Sequence, residues 1–161
     1  MAFVAEDGTG LSNANSLVSV SDFDAYCTDR GHSTILALDV SAKQILLIQA
    51  TDYIRTRFKY RGSVYNREQR LPFPRVIDGE ELIPENAKEA VYEYAIRAHS
   101  AELAPDPVYA TNGRQIIRER DKTGPLDEEY EYSQTVQKFR PYPMADSLLR
   151  DYVRSGNRVT R

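Results

Sequence analysis

Tryptophan is absent from this chain of 161 residues, cysteine occurs once and histidine twice. The lone Cys27 excludes an internal disulfide and fits a reducing compartment. His32 and His99 fall in different segments, and neither has a second donor at metal-ligand spacing. No metal and no cofactor are therefore expected. No apolar run approaches the roughly 20 residues of a membrane-spanning helix, and the first residues lack the basic region and apolar run of a secretion signal. A large charge of one sign is lacking too. With a net charge of −3 the whole molecule is no general binder of polyanions, so a nucleic-acid role must rest on a local patch. Serines are numerous, yet no nucleophile elbow surrounds any of them. The carboxylates between 127 and 131 belong to a segment read below as an exposed ribbon, where water has free access and pKa values stay ordinary. The chain is not expected to be an enzyme.

What is present suits one domain with a modest core: 41% apolar and 28% charged residues. Near the start stands GTGLSNANS, Gly8 to Ser16, with the composition of a phosphate cradle. Such a cradle needs a buried strand before it and a helix after it. Only Phe3-Val4-Ala5 precedes, and no lysine follows at the Walker spacing. Two readings are left: a flexible N-terminal segment, or an arm that orders against a neighbouring subunit.

Four helices are expected. Ser19 or Ser21 caps the first, which runs to about Arg30 and is stopped by Gly31, with Phe23, Tyr26 and Cys27 on its apolar side. Ser41-Ala-Lys-Gln44 reads as a capping box for a second, to about Phe58. Its stripe of Ile45, Leu46, Ile48, Tyr53, Ile54 and Phe58 makes it the expected central element. Residues 59 to 83 read as irregular, because Gly62, Pro72, Pro74 and Gly79 interrupt them, with Leu71-Pro-Phe73-Pro packing as a tether. Pro84 opens a third helix carrying Ala87, Ala90, Val91, Tyr94, Ala95 and Ala98, which ends near Leu103. Pro141 and Pro143 introduce a fourth from about Met144 to Arg154.

Residues 113 to 136 change character. Arg118 and Arg120 share one parity, Asp127, Glu129 and Glu131 the other. Folding at Lys122-Thr-Gly-Pro125 gives a β-hairpin with Arg120 opposite Asp127 and Arg118 opposite Glu129, each pair worth about 0.2–1 kcal/mol. Its apolar surface is small, and a lone two-stranded ribbon is marginal in water, so it is expected to lean on another surface. The segment 55 to 75 is the local patch. Arg55, Arg57, Lys59, Arg61, Arg67, Arg70 and Arg75 oppose only Glu68, a balance of +6, and Phe58, Tyr60 and Tyr65 are interleaved. Basic residues position a phosphate backbone and aromatics stack bases. The same composition serves ion pairing within or between subunits, or a protein interface.

The pieces in their order carry a resemblance. Val4-Ala-Glu-Asp-Gly-Thr-Gly-Leu-Ser-Asn-Ala-Asn-Ser16 with Val18-Ser-Val20, Gln49-Ala-Thr-Asp-Tyr-Ile54, Pro72-Phe-Pro-Arg75, Ile83-Pro84 with Ala90 and Ala95, Gly124-Pro125 through Tyr130, and Tyr142-Pro143 together resemble a tailed-phage family. Its members are labelled DnaT-like single-stranded-DNA-binding proteins. Phe73 stands where the family commonly has tryptophan. By gene context and architecture such proteins resemble head–tail connectors, also called adaptors or head-completion proteins. The resemblance implies a mainly α fold: a bundle of about four helices in a domain spanning 19–154, a hairpin at about 113–136, and projecting arms at 1–18 and 155–161. It implies a structural role in the virion neck, reached by assembly in the host cytoplasm. Closed heterologous contacts would give a ring of about twelve copies, with genomic DNA passing through its lumen without sequence specificity. The implied partners are further copies of the chain, the portal, and a tail or second connector protein, with no membrane. Arg118, Arg120, Asp127, Glu129, Tyr130 and Tyr132 would form the subunit interface. Gly8, Leu11, Asn13, Asn15, Tyr152, Arg158 and Arg161 would dock on the portal or a neighbour. The alternative implied by the family's label is a module that binds single-stranded DNA through the basic segment.

Overall fold

The computed structural model describes residues 2–106, 116–120, 129–132 and 140–154. They fall into two compact units, one within Met1–Leu103 and Pro141–Thr160, the other within Ala104–Arg140. The fold is mainly helical with a small antiparallel hairpin, as the sequence implies.

In the larger unit, α1 (Val20–Asp29) starts at Ser19, whose side chain accepts from the Asp22 amide at 3.2 Å, and buries Phe23, Tyr26 and Cys27. A single turn, α2 (Ser33–Leu36), follows; no periodicity marks so short an element. The long helix α3 (Val40–Arg57) begins earlier than its capping-box motif suggests. Asp39 already supplies the acceptor, to the Ala42 amide at 2.8 Å, so Ser41 lies inside the helix. Its buried face is Leu46, Leu47, Ala50, Thr51, Tyr53 and Ile54, while Ile45 is 55% exposed. The apolar stripe is therefore narrower and rotated relative to the expected one. Lys43 is also buried, with its ammonium in ionic contact with Asp24 at 2.8 Å and bonded to the Leu36 carbonyl at 3.2 Å.

The central element is α4 (Glu85–Ser100) rather than α3. Every residue from Ala90 to Ala95 is buried, and α4 packs on α1, α3 and α5. Ala87, Ala90 and Ala95 leave room for close approach on several sides at once. The last helix, α5 (Pro143–Leu149), has proline in its first turn and runs into a 3₁₀ turn, Arg150–Tyr152. Before it, the Tyr142 hydroxyl donates to the carbonyls of Leu103 at 3.1 Å and Glu102 at 3.3 Å.

The stretch expected to be irregular holds a small sheet of order β1-β2-β3: Ser63–Val64, Arg75–Ile77 and Glu80–Leu82, all antiparallel. Strands of two and three residues have no period to detect. Asp78-Gly79, both at positive φ, forms the two-residue turn between β2 and β3, and this pair is the local signal for a hairpin. Gly62 has a different necessity: a Cβ there would meet the Val76 carbonyl oxygen at 2.1 Å.

Residues 2–18 do not project. Ala14, Leu17 and Val18 are in the core, and the segment closes on itself through Glu6 N to Ser16 O and Asn15 N to Val4 O, both 2.9 Å. It is tied to α3 by Leu17 N to Thr51 Oγ1 at 3.2 Å. Burial of the apolar residues at its end contributes to holding it down, at roughly 1.5–3 kcal/mol for each large aliphatic side chain, beside the hydrogen bonds that close it. Among the described residues, no helix is long and apolar enough to cross a membrane.

The second unit contains β4 (Ile116–Arg120) and β5 (Glu129–Tyr132). The backbone places Arg120 opposite Glu129, Arg118 opposite Glu131, Glu119 opposite Tyr130 and Ile116 opposite Tyr132. The unlike pairing expected from parity is present, with the register two residues from the expected one. Asp127 and the turn itself lie outside the described residues.

Candidate nucleic-acid interface

The seven basic residues of segment 55–75 part company. Arg57, in the last turn of α3, turns inward and pairs with Asp146 of α5 at 2.8 Å, with side chains 11% and 25% exposed. Asp146 also accepts from the Tyr94 hydroxyl and from the Tyr142 amide at 3.1 Å, while Arg57 donates to the Tyr53 hydroxyl. The rings of Tyr53, Tyr94 and Tyr142 meet edge to face around this group. One carboxylate thus joins α3, α4 and α5. Removing one partner of so enclosed a pair costs about 3–5 kcal/mol, against about 0.2–1 kcal/mol for an exposed pair such as Lys88–Glu85. Arg57 is structural.

Arg75 is structural as well. It is buried in β2, and its guanidinium donates to the carbonyls of Arg61 at 2.6 Å, Gly62 at 2.9 Å and Pro72 at 3.2 Å. Burial, and next the positive charge of Arg154, lower its pKa from the usual arginine value. It thereby ties the turn before β1 to the Pro72–Pro74 stretch. Arg70 is half-buried, and its amide donates to the Leu11 carbonyl.

Arg55, Lys59, Arg61 and Arg67 are the exposed cations. Arg55 stands 3.8 Å from Asp52 on the open face of α3. Arg61 donates to the Asp151 carbonyl at 3.0 Å and lies 3.9 Å from the exposed Asp78 carboxylate. Lys59 and Arg67 have no acidic partner among the described residues. Between Arg61 and Arg67 the chain presents Val64, 41% exposed, and Tyr65, 43% exposed. Tyr60 is inside, where burial raises its pKa, and its hydroxyl donates to the Ile54 carbonyl at 3.0 Å. The surface is therefore a short basic run with one open aromatic ring.

One cation of this region is missed by sequence reasoning. Arg154 reads as the end of a helix, but the chain leaves the 3₁₀ turn as an extended segment and pairs with residues 59–61 through the antiparallel bridge Tyr60↔Val153. Arg154 N donates to Lys59 O at 2.9 Å and Arg61 N to Tyr152 O at 2.8 Å. A bridge between positions so far apart has no local signature. Tyr152, one of the expected docking residues, packs its ring against Phe73 at 6.4 Å.

The GTGLSNANS loop does make an anion cradle, with its anion built in. The amides of Gly8, Gly10 and Leu11 converge on the Glu6 carboxylate at 3.1, 2.8 and 3.0 Å, and Glu6 is 8% exposed. Of the docking candidates here, Asn15 is consumed internally: its side chain accepts from Val4 N and donates to Ala2 O, both at 2.8 Å. The Leu11 carbonyl holds Arg70 N, while Gly8 and Asn13 are exposed. Arg158 and Arg161 lie outside the described residues. Among the described residues no cluster of three or more His, Cys, Asp or Glu gathers to hold a metal.

A family model described as "Putative DnaT-like ssDNA binding protein" matches residues 1–161, the whole chain. The chain belongs to this DnaT-like family. Neither the comparison with curated proteins nor that with solved structures gives a match. Membership carries the DnaT-like half of the resemblance drawn from the sequence; no comparison matches a connector, portal or tail protein. In this DnaT-like chain Phe73 is fully buried, with its ring 4.8 Å from Tyr60 and edge-on to it. The tether expected of Leu71-Pro-Phe73-Pro is thus in place, with Leu71, Phe73 and Pro74 all buried.

Proposed function

We propose that this DnaT-like family member binds single-stranded DNA through the exposed run Lys59 to Arg67. The observation that supports it most is the open Tyr65 ring flanked by Arg61 and Arg67 once Arg57 and Arg75 have been withdrawn into the fold. The family description points the same way. An exposed ring stacks on an unstacked base for about 1–3 kcal/mol, and flanking cations neutralise phosphates. A duplex offers no free base face, and the net charge of −3 opposes indiscriminate duplex binding. Tyr65→Ala should weaken binding to a labelled oligo-dT about tenfold by fluorescence anisotropy. Arg67→Ala should lower the slope of log K against log salt by about 0.7. A wild-type chain without salt-dependent oligonucleotide binding removes the proposal.

A second reading, a ring-forming adaptor between portal and tail, is favoured by the hairpin. A two-stranded ribbon is marginal alone in water, and β4 and β5 lie in the unit Ala104–Arg140, with Arg120 in register with Glu129 and Arg118 with Glu131. On this reading the missing stabilisation comes from a neighbouring copy.

A further inference from the structure

Three cations, Lys59, Arg61 and Arg154, are carried where residues 59–61 pair with 152–154. Lys59 stands directly opposite Arg154, since Arg154 N donates to Lys59 O. Like charges directly opposite across a ladder repel. Both side chains are exposed, and neither has an acidic partner among the described residues. Arg61 is the next position on the same outward side as Lys59, because the intervening Tyr60 points into the core. Arg75, 9% exposed, is tied to this stretch through the Arg61 carbonyl; three carbonyls are its hydrogen-bond partners, with no carboxylate in ion-pair contact among the described residues. Arg75 and Arg154 are close enough for the charge of one to depress the pKa of the other. Asp78 lies 3.9 Å from Arg61 and is itself 82% exposed, where water screens it.

A solvated basic face normally spreads its charges apart. Here the fold does the reverse: backbone hydrogen bonding sets Lys59 opposite Arg154, and a further cation, Arg75, is bonded to the carbonyl of neighbouring Arg61 with no counter-charge among the described residues. This is the electrostatic pattern of an anion site that its ligand completes. The donors suit a tetrahedral oxyanion: an ammonium as a point charge and a guanidinium as a planar fork.

We propose that Lys59 and Arg154, backed by the field of Arg75, form a phosphate-binding site that grips one phosphodiester of the bound strand. The proposal deepens the single-stranded-DNA reading and names Arg154, outside the basic segment, as its anchor. Two measurements separate the two ideas. The first uses inorganic pyrophosphate against chloride at matched ionic strength. Pyrophosphate should raise the melting temperature of the full chain, and Arg154→Ala should abolish that shift. In chloride alone Arg154→Ala should melt no lower than wild type, because it relieves repulsion and keeps its backbone bond; a merely structural arginine would lower it. Lys59→Ala is the second variant and should behave alike. The second measurement is oligo-dT binding, which Arg154→Ala should weaken about threefold to tenfold, with Arg154→Lys restoring part of the loss. A pyrophosphate shift without oligonucleotide binding keeps the site and removes the DNA reading. Oligonucleotide binding that Arg154→Ala leaves unchanged, with no pyrophosphate shift, overturns the site and keeps the DNA reading. Absence of both removes both.

Discussion

Cys27 sits on the inner side of α1, fully buried beside Phe23 and Tyr26. Burial, and next the Asp24 carboxylate, push its thiol up to about 11 from the ordinary 9.0. The thiol form is thus held in the folded state, and two pH units mean about a hundredfold less thiolate near pH 8. We expect native protein at pH 8 to react with a disulfide reagent at least about a hundredfold more slowly than protein in denaturant, with the native rate climbing until pH passes about 11. Equal rates in both states would contradict the burial described. This residue was legible in the sequence, because helical spacing puts it on the face of Phe23. Arg57 and Arg75 were not. Arginine reads the same whether it faces solvent, Asp146 or three carbonyls, and only the partners brought by distant segments distinguish these fates. Tyr65 stayed outside and Tyr60 went inside for the same kind of reason.

Helices α1, α3, α4 and α5 were legible because each carries apolar residues at helical spacing and a capping or proline signal at its start. Their centre was not. α4 has weaker aliphatic content than α3, yet its alanines let it accept neighbours on several sides. The N-terminal segment was misjudged by composition. Glycine, serine and asparagine suggest a free arm, while the deciding features are a carboxylate at Glu6 that fills the amides after it and the apolar pair Leu17-Val18 behind. The consequence is measurable. Deleting residues 2–18 should cost about 3 kcal/mol, the burial of two aliphatic side chains, seen as a lower urea midpoint. A truncated chain with an unchanged midpoint would restore the projecting arm.

At the scale of the molecule, the helical unit and the hairpin unit divide the proposed roles between them. The first carries the basic run; the second carries Arg118 and Arg120, which on the ring reading a neighbouring copy would use. On the ring reading, wild-type chain should co-sediment with portal protein, and reversing both Arg118 and Arg120 to glutamate should abolish this while leaving oligo-dT binding intact. Equal co-sedimentation of both forms, or of neither, would leave the hairpin without that role. The helical body, meanwhile, is made of two stretches of chain, one on each side of the hairpin segment, and the Tyr142 hydroxyl clasps the far end of the first at Glu102 and Leu103. In topological terms the hairpin is an insertion whose two roots are already stapled together. Loop-closure entropy grows only slowly, by about 0.6 kcal/mol per doubling of length. The segment between these stapled ends can therefore lengthen or shorten at little cost in closure entropy.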